Sequence, residues 1–299
     1  MQTLAAYILR GRIQAAGFIG LFGAIGWIFP LSFLLSSAAA ALVVLKKGAR
    51  EGLLVLIGAT VFCTLMASIR FGTPVLAIVN ALAIWLPVWI AAQVLRTSRS
   101  QASVLIVVMI MSLFLAIGIR YFVGDIEVFW HDSLIKYASK IAIVANAERQ
   151  ADVIKVLALI MNGFVAVSFG LMTMLSVLLA RWWQSLLFNP GGFGEEFSKV
   201  QIPALITVPI LVCAILVTVV KLPIPPYGML LDLLMIGLVT LMFHGLAVVH
   251  FFVREKNLGN GWLVGLYFFL VVAAVYVISI LAMLAISDSF SNFRKFKKV

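Results

Sequence analysis

Few side chains in this sequence could do chemistry, and their surroundings restrict what that chemistry is. Asp232 is the only carboxylate well inside an apolar run (GMLLDLLMIG). An ionisable group there is costly, so it serves either ion or proton traffic or a bond to a neighbouring helix end or water. His244 and His250 follow in the same run. They differ by about 240° of helical rotation, so they do not converge on a metal, and His244 lies about 120° round from Asp232. Asn80 and Asn162 are the other polar residues at mid-run. Each suits a ligand contact, although interhelical hydrogen bonding is the commoner role for such residues. No HExxH, paired carboxylates or Cys/His cluster appears, so neither a metal nor another cofactor is expected. Cys63 and Cys213 lie inside apolar runs and read as small apolar residues. No GxxxxGK[ST] or GxSxG motif is present, so ATP hydrolysis and acyl transfer are not expected and the chain does not read as an enzyme.

The most unusual segment is 181–200, RWWQSLLFNPGGFGEEFSKV. Trp182 and Trp183 favour the headgroup level. Pro190 cannot extend a helix, and Gly191 and Gly192 free the backbone for a sharp or re-entrant turn. With Arg181, Asn189, Glu195 and Glu196, these residues form either a lid over a ligand cavity or an interfacial turn with an aromatic belt.

These residues must be positioned by elements that suit lipid. Of 299 residues, 64% are hydrophobic and 11% charged, against about 25% charged in a soluble domain. A soluble enzyme, a nucleic-acid-binding domain and a disordered regulator are thereby excluded. The net charge of +11 belongs to loops beside anionic headgroups, with the lipid bilayer rather than nucleic acid as partner. A crossing helix needs about 20 apolar residues. Such runs occupy 14–29, 31–45, 51–69, 72–95, 102–123, 151–180, 201–221, 228–252 and 261–287. The first two meet at Pro30 and form either a tight hairpin or one kinked helix. The expectation is a single all-α domain over 1–299, a polytopic bundle of eight or nine transmembrane helices. Residues 124–150 read as an amphipathic interfacial segment and 288–299 as a basic tail. Nine spans divide the 22 Lys and Arg evenly between the two sides, so charge does not orient the chain.

Helix 1 carries a packing signal. Ala16, Gly20 and Ala24 fall four apart, a small-residue stripe that admits another helix closely. It serves either packing against helix 2 of this chain or docking of a separate transmembrane partner.

Taken together, RWWQSLLFNPGGFGEEF, GLAVVHFF and the C-terminal DSFSNFR resemble the YybS-like family of uncharacterised bacterial multi-pass membrane proteins. The resemblance runs through nearly the whole chain and is most specific at the NPGGF-x-EEF segment. Where that family often has Asp before Phe-Arg, this chain has Asn292. The family is similar at a distance to the S-components of energy-coupling-factor transporters, which capture small nutrients and dock on an ATPase-driven partner through small residues on helix 1. The resemblance implies an S-component-like core with extra C-terminal helices in a bacterial cytoplasmic (inner) membrane. It also implies a small-solute-binding or transport subunit without its own ATPase, with a small-molecule ligand and a transmembrane partner subunit. The alternative is a membrane scaffold or assembly factor acting through helix–helix contacts.

Overall fold

The computed structural model of the chain describes residues 1–141, 147–220, 224–291 and 294. Its helices are α1 (Gln2–Arg10), α2 (Arg12–Ile25), α3 (Ser32–Lys47), α4 (Ala49–Phe71), α5 (Val75–Asn80) and α6 (Leu86–Ser98). They continue with α7 (Gln101–Val123), α8 (Ile126–Ile141), α9 (Ala147–Phe188), α10 (Gly192–Phe197), α11 (Ala204–Val219), α12 (Ile224–Glu255), α13 (Gly261–Val272) and α14 (Ala274–Ser291). No strand occurs among the described residues. Among the described residues six stretches are long and apolar enough to cross a membrane: Ala49–Phe71, Val75–Ser98, Gln101–Val123, Ala151–Phe188, Tyr227–Glu255 and Ala274–Ser291. The α1–α2 pair, bent by 119°, would make a seventh. The chain is an all-α, multi-pass membrane protein.

Four of the nine runs read from the sequence differ in extent from a full span. Run 14–29 forms α2, of 14 residues, which reaches span length only with α1 across the 119° bend. Run 31–45 forms α3, only 16 residues long, and run 201–221 forms α11, also of 16. Run 261–287 is divided at Ala273, although backbone bonds Ala273 N–H to Phe269 O (2.8 Å) and Val277 N–H to Ala273 O (3.1 Å) continue the ladder there. Apolar composition marks a segment as suited to lipid or to a protein core, and α3 shows the second use. Its residues from Ser36 to Leu45 are all buried.

Two compact units divide the chain. Unit one contains Met1–Val108, Leu171–Val200 and Ala247–Leu263. Within it, α2 and α3 form a hairpin, resolving the Pro30 alternatives. The Ser36 hydroxyl donates to Ile19 O at 2.7 Å and accepts from the Trp85 indole N–H at 3.0 Å. Trp85 ends a single π-helical turn, Ala81–Trp85, between α5 and α6. Such a turn rotates the residues after it relative to a regular helix. Two small residues of α2, Ala16 and Gly20, are met at close range inside the unit. A methyl group on Gly20 would lie 2.7 Å from the Phe62 ring, and one on Gly58 would lie 3.2 Å from Ala16 Cβ.

Unit two contains Met109–Gly170, Gln201–Leu246 and Val264–Val299. Ala116, Ala166 and Ile236 form one core cluster. Ile210, Leu241, Ala282 and Ala285 form another. Small residues again set the helix spacing: Gly237 receives the Ile210 side chain, at 2.8 Å from where a methyl group would sit. The expected interfacial segment 124–150 contains α8, with residues 142–146 outside the described residues. Of the expected basic tail, 288–291 complete α14, Arg294 is described, and 292–293 and 295–299 lie outside the described residues.

Candidate functional site: an arginine-lined cavity and two buried ion networks

The segment 181–200 is helical over its first part. Arg181, Trp182 and Trp183 belong to the last turns of α9, and the turn narrows to Asn189-Pro190-Gly191. Gly191 sits at φ +85°, a left-handed conformation that glycine takes at little cost. The Asn189 side chain occupies the space a Gly192 side chain would need. Two successive glycines therefore let the chain fold back on α9 through α10. The reversal brings Glu196 onto Arg181. The Arg181 guanidinium donates through Nε to Glu196 Oε2 at 2.8 Å and through Nη2 to Oε1, a bidentate pair.

Beside this pair, in unit one, is a cavity of about 390 Å³ lined by Leu45, Leu95, Arg96, Arg99, Arg181, Gln184 and Glu196. Three guanidiniums face it against one carboxylate. Arg96 is placed by a helix end: its Nη1 donates to Val44 O at 2.9 Å, near the C-terminus of α3. That end carries partial negative charge and carbonyls without helical partners. Gly48, at φ +103°, leaves room for Arg96, whose Nη1 lies 3.2 Å from where a methyl group would project. Arg99 follows the last turn of α6 at φ +55°, in the left-handed region where non-glycine residues are uncommon. Its side chain lines the cavity in a backbone conformation that costs about 1–2 kcal/mol.

Of the residues singled out in the sequence, Arg181 and Glu196 line this cavity. Trp183 is buried and Trp182 half-buried, while Asn189, Pro190 and Gly191 form the exposed turn and Gly192 is buried behind it. Glu195 points elsewhere, to Lys199 Nζ at 2.7 Å, with Arg254 at 3.9 Å. Sequence reasoning missed Arg96, Arg99 and Gln184. Their signal was the spacing of three in RTSR and in R-x-x-Q, which puts two polar side chains on one face of a helix.

Unit two holds two separate ion networks. In the first, Asp232 of α12 is 2% exposed. It accepts from Arg120 Nε of α7 at 2.7 Å and from Asn162 Nδ2 of α9 at 2.6 Å, both at Oδ2. Asn162 Nδ2 also donates to Ala116 O at 3.2 Å. Arg120 Nη1 donates to Glu127 of α8 at 3.0 Å. The sequence named Asp232 and Asn162 separately; the fold joins them and adds Arg120 and Glu127. In the second network, His244 Nε2 lies 2.8 Å from Asp288 Oδ2, and Arg294 Nη2 lies 2.6 Å from the same oxygen. Asp288 went unrecognised because it lies near the end of an apolar run.

Asn80, in unit one, is 3% exposed, and neither amide atom has a hydrogen-bond partner. Ala16, Gly20 and Ala24 lie on α2, with Gly20 buried against Phe62. Among the described residues no group of three or more His, Cys, Asp or Glu side chains could hold a metal ion. No protein-family model, curated protein or solved structure matches this chain.

Proposed function

We propose that this chain is a small-solute-binding or transport subunit of a bacterial cytoplasmic membrane and that its solute is anionic. The observation that carries this reading is the charge lining the cavity in unit one: Arg96, Arg99 and Arg181 face Glu196 alone. Its volume of about 390 Å³ lies at the lower end of the range of small-molecule sites, about 300–1,000 Å³. Most such sites are lined by apolar side chains, with a few polar groups fixing orientation. Here only Leu45 and Leu95 are apolar. Guanidiniums match carboxylates and phosphates in bidentate geometry, so a small carboxylate, phosphate or sulfonate is the favoured occupant.

In this reading the Asn189–Gly191 turn and α10 serve as a clasp. They hold Glu196 against Arg181, fixing one guanidinium and Gln184 at the cavity wall. The resemblance to S-component-type subunits agrees with a binding protein that relies on a separate energised partner. Gly20 is covered by Phe62 within this chain, so the Ala16–Gly20–Ala24 stripe is not the surface on which this proposal rests.

The test is thermal unfolding of the purified full chain in detergent against a panel of small anions at fixed ionic strength. One or more should raise Tm in a saturable, concentration-dependent way. A ligand at about 100 times its Kd contributes about 2.7 kcal/mol. Arg181→Gln should remove that response. A panel without specific stabilisation, or stabilisation unchanged in both Arg181→Gln and Arg99→Gln, counts against the proposal.

A further inference from the structure

The Asp232 network carries more charge than its pairing explains. Arg120 is one guanidinium shared by two carboxylates, Asp232 at 2.7 Å and Glu127 at 3.0 Å. With all three ionised, the set holds one excess negative charge. Arg120 lies within the apolar stretch Gln101–Val123 and Asp232 within Tyr227–Glu255. Uncompensated charge in such surroundings is expensive, and a group held there can lower the cost by binding a proton.

Three polar atoms in the network are buried without a partner: Asp232 Oδ1, Asn162 Oδ1 and Arg120 Nη2. The Asn162 amide is not free to flip. Its NH₂ faces two acceptors, Ala116 O and Asp232 Oδ2, so the carbonyl oxygen must be the atom left over. Asn162 is 1% exposed, which makes that oxygen a buried acceptor awaiting a donor. Two of the orphan atoms also face glycines. A methyl group on Gly163 would sit 2.9 Å from Asp232 Oδ1, and one on Gly228 would sit 3.0 Å from Arg120 Nη2. The absence of side chains at Gly163 and Gly228 lets these atoms pack directly against the glycine backbones.

We propose that Asp232 is a proton-binding site that takes up and releases one proton on Oδ1. Uptake removes the excess negative charge and turns an unpartnered acceptor into an O–H donor, in a cluster where Asn162 Oδ1 needs a donor. Arg120 does not lose its compensation on that uptake, because Glu127 keeps it paired. Glu127 is the more exposed carboxylate, 23% against 2% for Asp232. The groups facing Asp232 are Arg120 of α7 and, through it, Glu127 of α8, with the neutral Asn162 and Gly163 from α9. This site is independent of the arginine-lined cavity and stands whether or not that cavity binds an anion.

The experiment is pH-difference infrared spectroscopy on the full chain in lipid nanodiscs, in H₂O and D₂O. As pH falls, a protonated carboxylic acid C=O band should grow, shift on deuteration, and be lost in Asp232→Asn. In Glu127→Gln the band should remain but titrate at lower pH, since Arg120 then serves Asp232 alone and favours its ionised form. That second variant keeps the test decisive if Asp232→Asn does not fold. The proposal is overturned by absence of the band in the wild type, by its survival in Asp232→Asn, or by an unmoved midpoint in Glu127→Gln. It is also overturned if sodium, compared with choline at equal ionic strength, stabilises the wild type but not Asp232→Asn, because the site would then hold a metal cation.

Discussion

Arg181 and Glu196 grip each other across the Asn189–Gly191 turn, so that the end of α9 and the short helix α10 form one wall of a charged cavity. The pair is not buried: the side chains are 21% and 32% exposed. Its contribution to stability is correspondingly small, while its effect on the cavity is direct, because Glu196 is the only carboxylate facing three arginines.

Glu196→Gln should therefore separate stability from binding. Losing a partly exposed ion pair is expected to cost about 1 kcal/mol or less. The cavity loses its one opposing charge, so affinity for a stabilising anion should rise several-fold. Titration of Tm against anion concentration in wild type and variant measures both effects. A variant that binds more weakly would mean that Glu196 contacts the ligand or that the clasp alone shapes the site.

Arg99→Gly makes a sharper separation. Arg99 holds a left-handed backbone at φ +55° that glycine adopts readily. Relief of that conformation should offset the greater freedom glycine gives the unfolded chain, leaving stability within about 1 kcal/mol of wild type. Anion stabilisation should fall, since a cavity guanidinium is gone. Equal Tm with a lost ligand response is the expected pattern. A variant that unfolds several degrees lower with its ligand response intact would make Arg99 structural.

The overall class was legible from continuous apolar runs, and the 181–197 segment from its clustered Trp, Pro and Gly. The extent of α3 was not, because a core helix and a lipid-facing helix both read as apolar; only packing shows that its small face is enclosed. Site partners were harder. Asp232 stood out as a charge inside a run, whereas Arg120 and Asp288 lie near run ends and read as ordinary boundary residues. Their roles depend on partners 112 and 44 residues away in sequence, at Asp232 and His244. Local spacing contains nothing that pairs them.

Acid should loosen the exposed corner after α10. Lys199, by its hydrogen bond and then by its charge, with Arg254 adding a smaller effect, holds the Glu195 carboxyl below its ordinary value. A carboxylate whose folded pKa is lowered contributes stability that is present above its unfolded pKa, about 4.3, and lost as pH falls through the lower folded value. Carbon-detected NMR of the labelled Glu195 carboxyl should show its midpoint below that reference in the wild type and closer to it in Lys199→Gln. Identical midpoints in the two proteins would remove Lys199 as the cause.

The His244–Asp288–Arg294 network should be the most sensitive of the structural contacts. Ile202 N–H points at His244 Nδ1 from 3.4 Å, so Nδ1 is the acceptor nitrogen and Nε2–H donates to Asp288 Oδ2. Arg294 donates to the same oxygen, and both His244 and Asp288 are fully buried. Asp288→Asn removes the charge that both partners face and is expected to cost about 3–5 kcal/mol, the range for breaking a buried ion pair. His244→Phe leaves the Asp288–Arg294 pair intact and removes one charge-assisted bond together with the long bond from Ile202 N–H, which predicts a smaller loss of about 1.5–3 kcal/mol. Unfolding of both variants in mixed micelles by increasing SDS fraction gives the comparison. The order Asp288→Asn worse than His244→Phe follows from the shared oxygen, and the reverse order would place the weight on the imidazole and its bond from Ile202.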